Sequence, residues 1–304
     1  MNDTNRDISS ENTMTLGPRN RTAALFLVSV LGLFLELLII RWIGTEVRIF
    51  AYLQNTLLIV CFLGLGFGCF TSGGRILARD ILMPLLVLVV LLAIPATREI
   101  LGSISLLLGV LDDYLIFGRL ASRSAAWTVL SASIGLGMTF LLLLLVLRMF
   151  VPIGRILGRL MDAHRNVVVA YSTNIVGSLV GTWLLVGLSI FFLPPVAWFA
   201  LLGGLLLFFL NWRHPAWKRS LAVLAAVVGL SFFAGLEFGA VRTVWSPYQK
   251  LTLWPYGHDN PFKLKRTVVR LLTKLGAPYK GLPQPLPSED PPDLKRYVLR
   301  VNNT

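Results

Sequence analysis

Glu36 and Arg41 stand inside the apolar stretch FLELLIIRWIG, where an ionisable side chain is costly and therefore informative. A carboxyl at such depth can carry a proton or hold a cation. A guanidinium can hold an anion, or it can snorkel to an interface. The two are five residues apart, about 140° around a helix, so they do not share a face and do not form an intrahelical pair. Glu36 is then either a functional group or a side chain turned toward another helix. Asn55 and Asn174 also fall within apolar runs, where an amide is expected to make interhelical hydrogen bonds. Glu237 lies near the end of the last such run, within reach of an interface. Asp112 and Asp113 sit together at the centre of ISLLLGVLDDYLIFGRL. No local Ser, His and Asp arrangement matches a nucleophile motif, and His258-Asp259 reads as a turn pair. His164, His214 and His258 are scattered and no metal-ligand cluster forms. Cys61 and Cys69 would be about 12 Å apart along one helix, too far to bridge, and read as buried thiols.

The elements that must position these groups are hydrophobic. The chain has 304 residues, 55% of them hydrophobic and only 14% charged, with a mean hydropathy of +0.72. A soluble domain carries about a quarter charged residues. The composition predicts an all-α polytopic membrane helical bundle with a short C-terminal β/helix tail. Seven spans are expected, with a range of six to eight, at 23–43, 49–72, 81–97, 125–150, 167–193, 196–211 and 220–240. The third and sixth are short for a core of about 30 Å. The segment 98–124 reads as an interfacial hairpin or re-entrant piece, with an eighth span as the alternative. Residues 1–22 form a polar tail without a cleavage site, and the first apolar run is a retained span. Gly64, Gly66 and Gly68 in GLGFG, and Gly177 and Gly181 four apart, read as close helix contacts. GLGFG has neither a strand before it nor Lys-Ser/Thr after it, so a phosphate loop is not supported.

The net charge of +13 lies between the apolar runs and in the tail, and no nucleic-acid motif accompanies it. With the N-terminus cytoplasmic, the inner segments hold twelve Lys/Arg and the outer loops four, or five with Arg41. That orientation suits the charge rule, and seven spans then place the tail outside. Treating a short span or 220–240 as non-crossing would place both ends inside.

The tail, 242–304, divides into parts. SPYQKLTLWP reads as a short strand in which Leu251 and Leu253 alternate with Thr252 and Trp254. Trp245 just before it suits an interface. KLKRTVVRLLTKL places Leu264, Val268, Leu271, Leu272 and Leu275 on one helical face, with Lys263, Lys265, Arg266, Arg270 and Lys274 as its basic complement. Such a helix can lie on anionic lipid or cover a soluble domain, and both readings stay open. A proline-rich linker or lid follows, and RYVLRVNN reads as a second strand.

The stretches FLELLIIRWIGTEVRIFAYLQNTLLIVCFLGLGFG, AYSTNIVGSLVGTWLLVGLSIFFLPPVAWF and WSPYQKLTL together resemble the membrane-embedded branch of the spermidine synthase-like, or polyamine aminopropyltransferase-like, proteins. The resemblance covers the first, second, fifth and sixth runs and the start of the tail. It implies a multi-span domain, 23–241, joined to the start of a soluble domain, 242–304. It also implies that Gln249, with its neighbour Tyr248, matches a position lining the site for decarboxylated S-adenosylmethionine, the co-substrate of the full-length family. The family's glycine-rich loop, ribose-binding acid and aspartate base have no matching positions before Thr304. The expectation is therefore the membrane portion of a longer protein, or a shortened form, inactive in aminopropyl transfer alone. Its partners would be the lipid bilayer, a polyamine, and a downstream catalytic domain or separate subunit, with no nucleic acid. A polyamine is a cation, so Glu36, Glu237, Asp112 and Asp113 are its candidate contacts. Its place would be the cell membrane as a multi-pass protein, the inner membrane in a Gram-negative cell. The alternatives are a small-molecule transporter or half-transporter of major-facilitator-like packing and an inert anchor; no internal inverted repeat supports the former.

Overall fold

The structure, a computed structural model, describes residues 14–18, 20–47, 49–50, 53–102, 104, 108, 125–236, 240–247, 249–255 and 297–301. Tyr248, Glu237, Asp112, Asp113, His258-Asp259, the basic segment 263–275 and the proline-rich stretch lie outside them. Among the described residues there are eight helices: α1 (Arg21–Glu46), α2 (Gln54–Phe70), α3 (Ala78–Ala93), α4 (Pro95–Gly102), α5 (Ala125–Asp162), α6 (Val167–Ile190), α7 (Pro195–Leu207) and α8 (Trp217–Ala234). Each of the seven apolar runs holds one of them. Four helical stretches are long and apolar enough to cross a membrane: Arg21–Glu46, Val129–Asp162, Val167–Ile190 and Trp217–Ala234. Gln54–Phe70 and Pro195–Leu207 are apolar but shorter.

Local chemistry sets several boundaries. Asn20 caps α1 by accepting from the amides of Thr22 and Ala23, and Asn166 caps α6 by accepting from Val168 and Val169. Pro195 opens α7, where its missing N–H costs nothing. The helix α5 runs on to Asp162, twelve residues past the expected end of that span. Its extension places Arg155 and Arg159 one turn apart on a shared face. Arg155 donates through Nη1 to Arg75 O at 2.6 Å, and Arg159 through Nε to Ser72 O at 2.5 Å and through Nη2 to Gly74 O. The loop carbonyls after α2 are thereby satisfied, and the extra helical turns have a partner to pack on.

The helix α1 is the central element. In its apolar stretch 67% of residues are buried, against 22% in those of α6 and α8. It lies against α6, while α2 lies against α5 and α3 against α8. Gly177 and Gly181 make the first of these approaches possible. A Cβ at Gly177 would stand 2.7 Å from Phe26 O, and one at Gly181 would stand 2.6 Å from Val30 O. Gly64 plays the same part against Leu147 O, whereas Gly66 faces open space. The outer faces are apolar: Ile59, Phe62 and Phe67 on α2, Ile134 and Phe140 on α5, and Ile175, Leu179 and Trp183 on α6 are all exposed. A helix that turns such residues outward suits lipid better than water.

A small antiparallel sheet follows the bundle, in the order β1 (Arg242–Trp245), β2 (Lys250–Pro255), β3 (Tyr297–Val301). β1 and β2 form a hairpin in which Trp245 pairs with Lys250 and Arg242 with Leu253. β3 pairs with β2 from Leu251↔Val301 to Pro255↔Tyr297. The strand expected over SPYQKLTLWP therefore begins only at Lys250. Ser246 to Gln249 is the turn, closed by Ser246 N donating to Gln249 O at 3.0 Å and Gln249 N donating to Ser246 Oγ at 3.0 Å. Ser followed by Pro is a turn signal, because proline pre-sets the φ that the second turn position needs. Arg242 to Trp245 is a first strand that the sequence reading did not separate.

Contacts define two ends of the bundle. At one, Thr15 N donates to Phe209 O, Arg21 Nη1 to Ala163 O, and Thr22 Oγ1 lies 3.1 Å from His164 Nε2. The start of α1, the α2–α3 loop, the α5–α6 link and the residues after α7 thus meet there. At the other end the last turns of α1, α3, α6 and α8 meet the start of α7 and the hairpin.

Candidate functional site

The hairpin end concentrates the polar chemistry. Arg41 and Glu46 both come from the last turns of α1. Arg41 donates through Nη1 to Ser189 Oγ of α6 and through Nη2 to Ser246 O of the hairpin turn. Ser189 Oγ in turn donates to Leu185 O at 2.7 Å. The Arg41 guanidinium also sits 4.7 Å from the centre of the Trp198 ring, and Trp198 meets Trp245 edge-on at 5.3 Å. Trp42 packs on Phe199 in the same manner at 4.8 Å. A cation over an indole face gains most where water is excluded.

Glu46 holds the hairpin directly. Lys250 Nζ donates to Glu46 Oε1 at 2.8 Å, and both side chains are 0% exposed. The same ammonium lies 5.1 Å from the Trp245 ring. Arg98, from α4, brings its Nε to 3.9 Å from Glu46 Oε2 with 11% of its side chain exposed. Arg98 also donates to Leu92 O at 2.8 Å, to Ala234 O at 3.2 Å and to Leu236 O at 3.3 Å. These are carbonyls at the ends of α3 and α8, where a helix leaves its acceptors unsatisfied and favours a cation. One carboxylate, two cations and the ends of three helices are thus drawn together with the hairpin. Two polar atoms of this junction, Trp198 Nε1 and Thr252 Oγ1, are buried without a hydrogen-bond partner among the described residues.

Glu36 forms a second polar centre. It lies ten residues before Glu46, about 15 Å deeper along α1. Its side chain is fully buried, and neither carboxyl oxygen has a partner among the described residues. Arg41 is committed to Ser189 and Ser246, so the two do not meet, in keeping with their spacing around the helix. Asn174 joins α6 to α1 through Ser29, with 2.7 Å between Ser29 Oγ and Asn174 Oδ1. The Ser29 hydroxyl also reaches Leu25 O at 2.8 Å, and its single proton serves one of the two at a time. Asn55 is exposed in the first turn of α2, and no hydrogen bond from its side chain to another helix occurs among the described residues. Gln249 contributes its backbone to the hairpin turn, its carbonyl accepting from Ser246 Oγ at 2.7 Å.

The sequence reading missed Glu46, Lys250, Arg98, Ser189 and Trp198. Glu46 and Lys250 are 204 residues apart, so no local spacing could pair them. One signal was present: Glu46 follows an apolar run directly, and a lysine opens an alternating strand after two tryptophan-bearing segments. Among the described residues no group of three or more His, Cys, Asp or Glu could hold a metal ion. Comparison with protein-family models, curated proteins and solved structures gives no match to the chain.

Proposed function

We propose that the chain is a membrane-embedded platform of the spermidine synthase-like kind, which seats the first strands of a soluble domain at one end of its bundle. The observation that carries this reading is the fully buried Glu46–Lys250 pair, which ties β2 to the end of α1. A flexible tether would need no such contact, because burying two charges is repaid only by fixed geometry. The hairpin then sits in one orientation on the bundle, as the start of a rigid domain should. In this reading seven helices, α1 to α3 and α5 to α8, traverse the bilayer in alternating directions. The end bearing Arg21, Arg75, Arg79, Arg155, Arg159 and Arg219 faces the cytoplasm. The hairpin faces the opposite side.

The polyamine role implied by the resemblance rests on Glu36 alone among the described acids within the bundle core. A buried carboxyl without a partner is a place for a cationic ligand or a proton. Spermidine binding to the purified full chain tests it: Glu36→Gln should weaken binding by at least about tenfold. Undiminished binding would remove polyamine handling from the reading. Glu36 also favours a second reading, small-molecule transport. Substrate-dependent uptake into proteoliposomes, lost in Glu36→Gln, would favour transport over anchoring. Decarboxylated S-adenosylmethionine is the co-substrate of the soluble part of the family, and by the resemblance Tyr248 and Gln249 would be this chain's contribution to its site.

A further inference from the structure

At the basic end, a cavity of about 480 Å³ opens between α3 and α8. Its lining holds Arg75 and His214 before the two helices, and Arg79 and Arg219 one turn before Met83 and Val223 on the same helices, so the cations lie toward the helix starts and the apolar side chains deeper. No carboxylate occurs among its described lining residues. Asp80 is close, 3.8 Å from Arg79 Nε, but this pair is solvent-exposed and worth little. Two helices begin at the rim, and neither Leu77 before α3 nor Ala216 before α8 provides a side-chain cap. Helix N-termini carry partial positive charge, so both add to the field of the arginines. His214 Nδ1 accepts from Ala216 N at 3.1 Å, which leaves Nε2 as the proton-bearing nitrogen and a donor. The apolar part does not stop at the cavity. Met83 and Val87, one turn apart on α3, are both exposed and continue it toward the middle of the bundle.

A small anion would use the cations near the helix starts and leave the deeper apolar part of the cavity uncovered. A lipid with an anionic headgroup would use both. We propose that the cavity binds the phosphodiester headgroup of an anionic phospholipid, with an acyl chain running along Met83 and Val87. The location agrees with the lipid chemistry: basic pockets between membrane helices on the cytoplasmic side take anionic headgroups, and a volume in the range of ordinary ligand sites accommodates one. The inference rests on the membrane-crossing reading, which extraction of the full chain from the membrane fraction tests separately.

The test is native mass spectrometry of the full chain in detergent, titrated with phosphatidylglycerol or with phosphatidylcholine of identical acyl chains. The wild-type chain should retain phosphatidylglycerol in preference. The double variant Arg79→Gln/Arg219→Gln should lose that affinity by roughly ten- to thirtyfold, from about 1 kcal/mol per basic residue near a lipid surface. Its thermal melting, measured alongside, should match the wild type, because both side chains are exposed. Arg213→Gln/Lys218→Gln removes two cations at the same end that do not line the cavity, and it should leave the affinity unchanged. Equal binding of the two lipids, or an equal loss in the control variant, would overturn the proposal. So would displacement of phosphatidylglycerol by excess inorganic phosphate, which would mark a free-anion site.

Discussion

At the basic end Arg155 and Arg159 stay half-buried at the rim and spend their donors on the loop carbonyls of residues 72 to 75. At the hairpin end Lys250 is drawn fully inside and Arg98 nearly so, with a carboxylate between them. The same residue types do different physical work. The first pair tidies backbone at a water boundary and can be shielded by salt. The second holds the hairpin and the bundle in one geometry, and it fails when one charge is removed and its partner is left buried. The difference teaches where the molecule is committed to a single arrangement, and a series of substitutions can break or sharpen it.

The largest effect is expected at Lys250. Lys250→Met leaves the Glu46 carboxylate buried without its closest cation and should cost about 3–5 kcal/mol of hairpin seating. Amide hydrogen exchange at Leu251 and Leu253 would then speed up by a hundredfold or more, on the order of tenfold per 1.4 kcal/mol. The double variant Glu46→Gln/Lys250→Met should recover much of that protection, since two apolar or neutral partners can replace a buried ion pair. No recovery would mean that the pair is not what seats the strand. Next come the glycines. Gly177→Leu must push α1 and α6 apart and should cost about 1–3 kcal/mol in thermal unfolding, whereas Gly66→Leu, with open space before it, should cost little. Asn174→Ala removes one interhelical hydrogen bond and should cost about 0.6–2 kcal/mol. The smallest effect belongs to the basic end: Arg213→Gln should change melting by less than about 0.5 kcal/mol.

The sequence foretold what short-range chemistry controls. The seven apolar runs, the Gly177 and Gly181 contact and an interhelical hydrogen bond from Asn174 follow from composition and four-residue spacing, while its partner Ser29 came only with the fold. The capping by Asn20 and Asn166 obeys equally local rules, although the sequence reading did not place it. The long continuation of α5 was hidden because Arg155 and Arg159 looked like loop cations, and their carbonyl partners lie in a different loop. Asn55 was placed between helices because its run is apolar, but the helix starts at Gln54 and leaves it in an exposed first turn. The hairpin was half legible. KLTL alternates visibly, while RTVW is too short to announce itself without its partner strand. The junction around Glu46 was not legible at all, since its members come from five stretches of chain brought together only by folding.

The central claim is that the bundle carries the hairpin across the membrane from its basic end. A membrane-impermeant thiol reagent applied to intact cells tests it, with Cys61 and Cys69 replaced by serine. Val241→Cys, exposed beside β1, marks the hairpin end, and Arg213→Cys, exposed after α7, marks the basic end. The account predicts that the cysteine at 241 reacts in intact cells and the one at 213 only after permeabilisation. Labelling of both, or of neither, before permeabilisation would place the two ends on one side and contradict it.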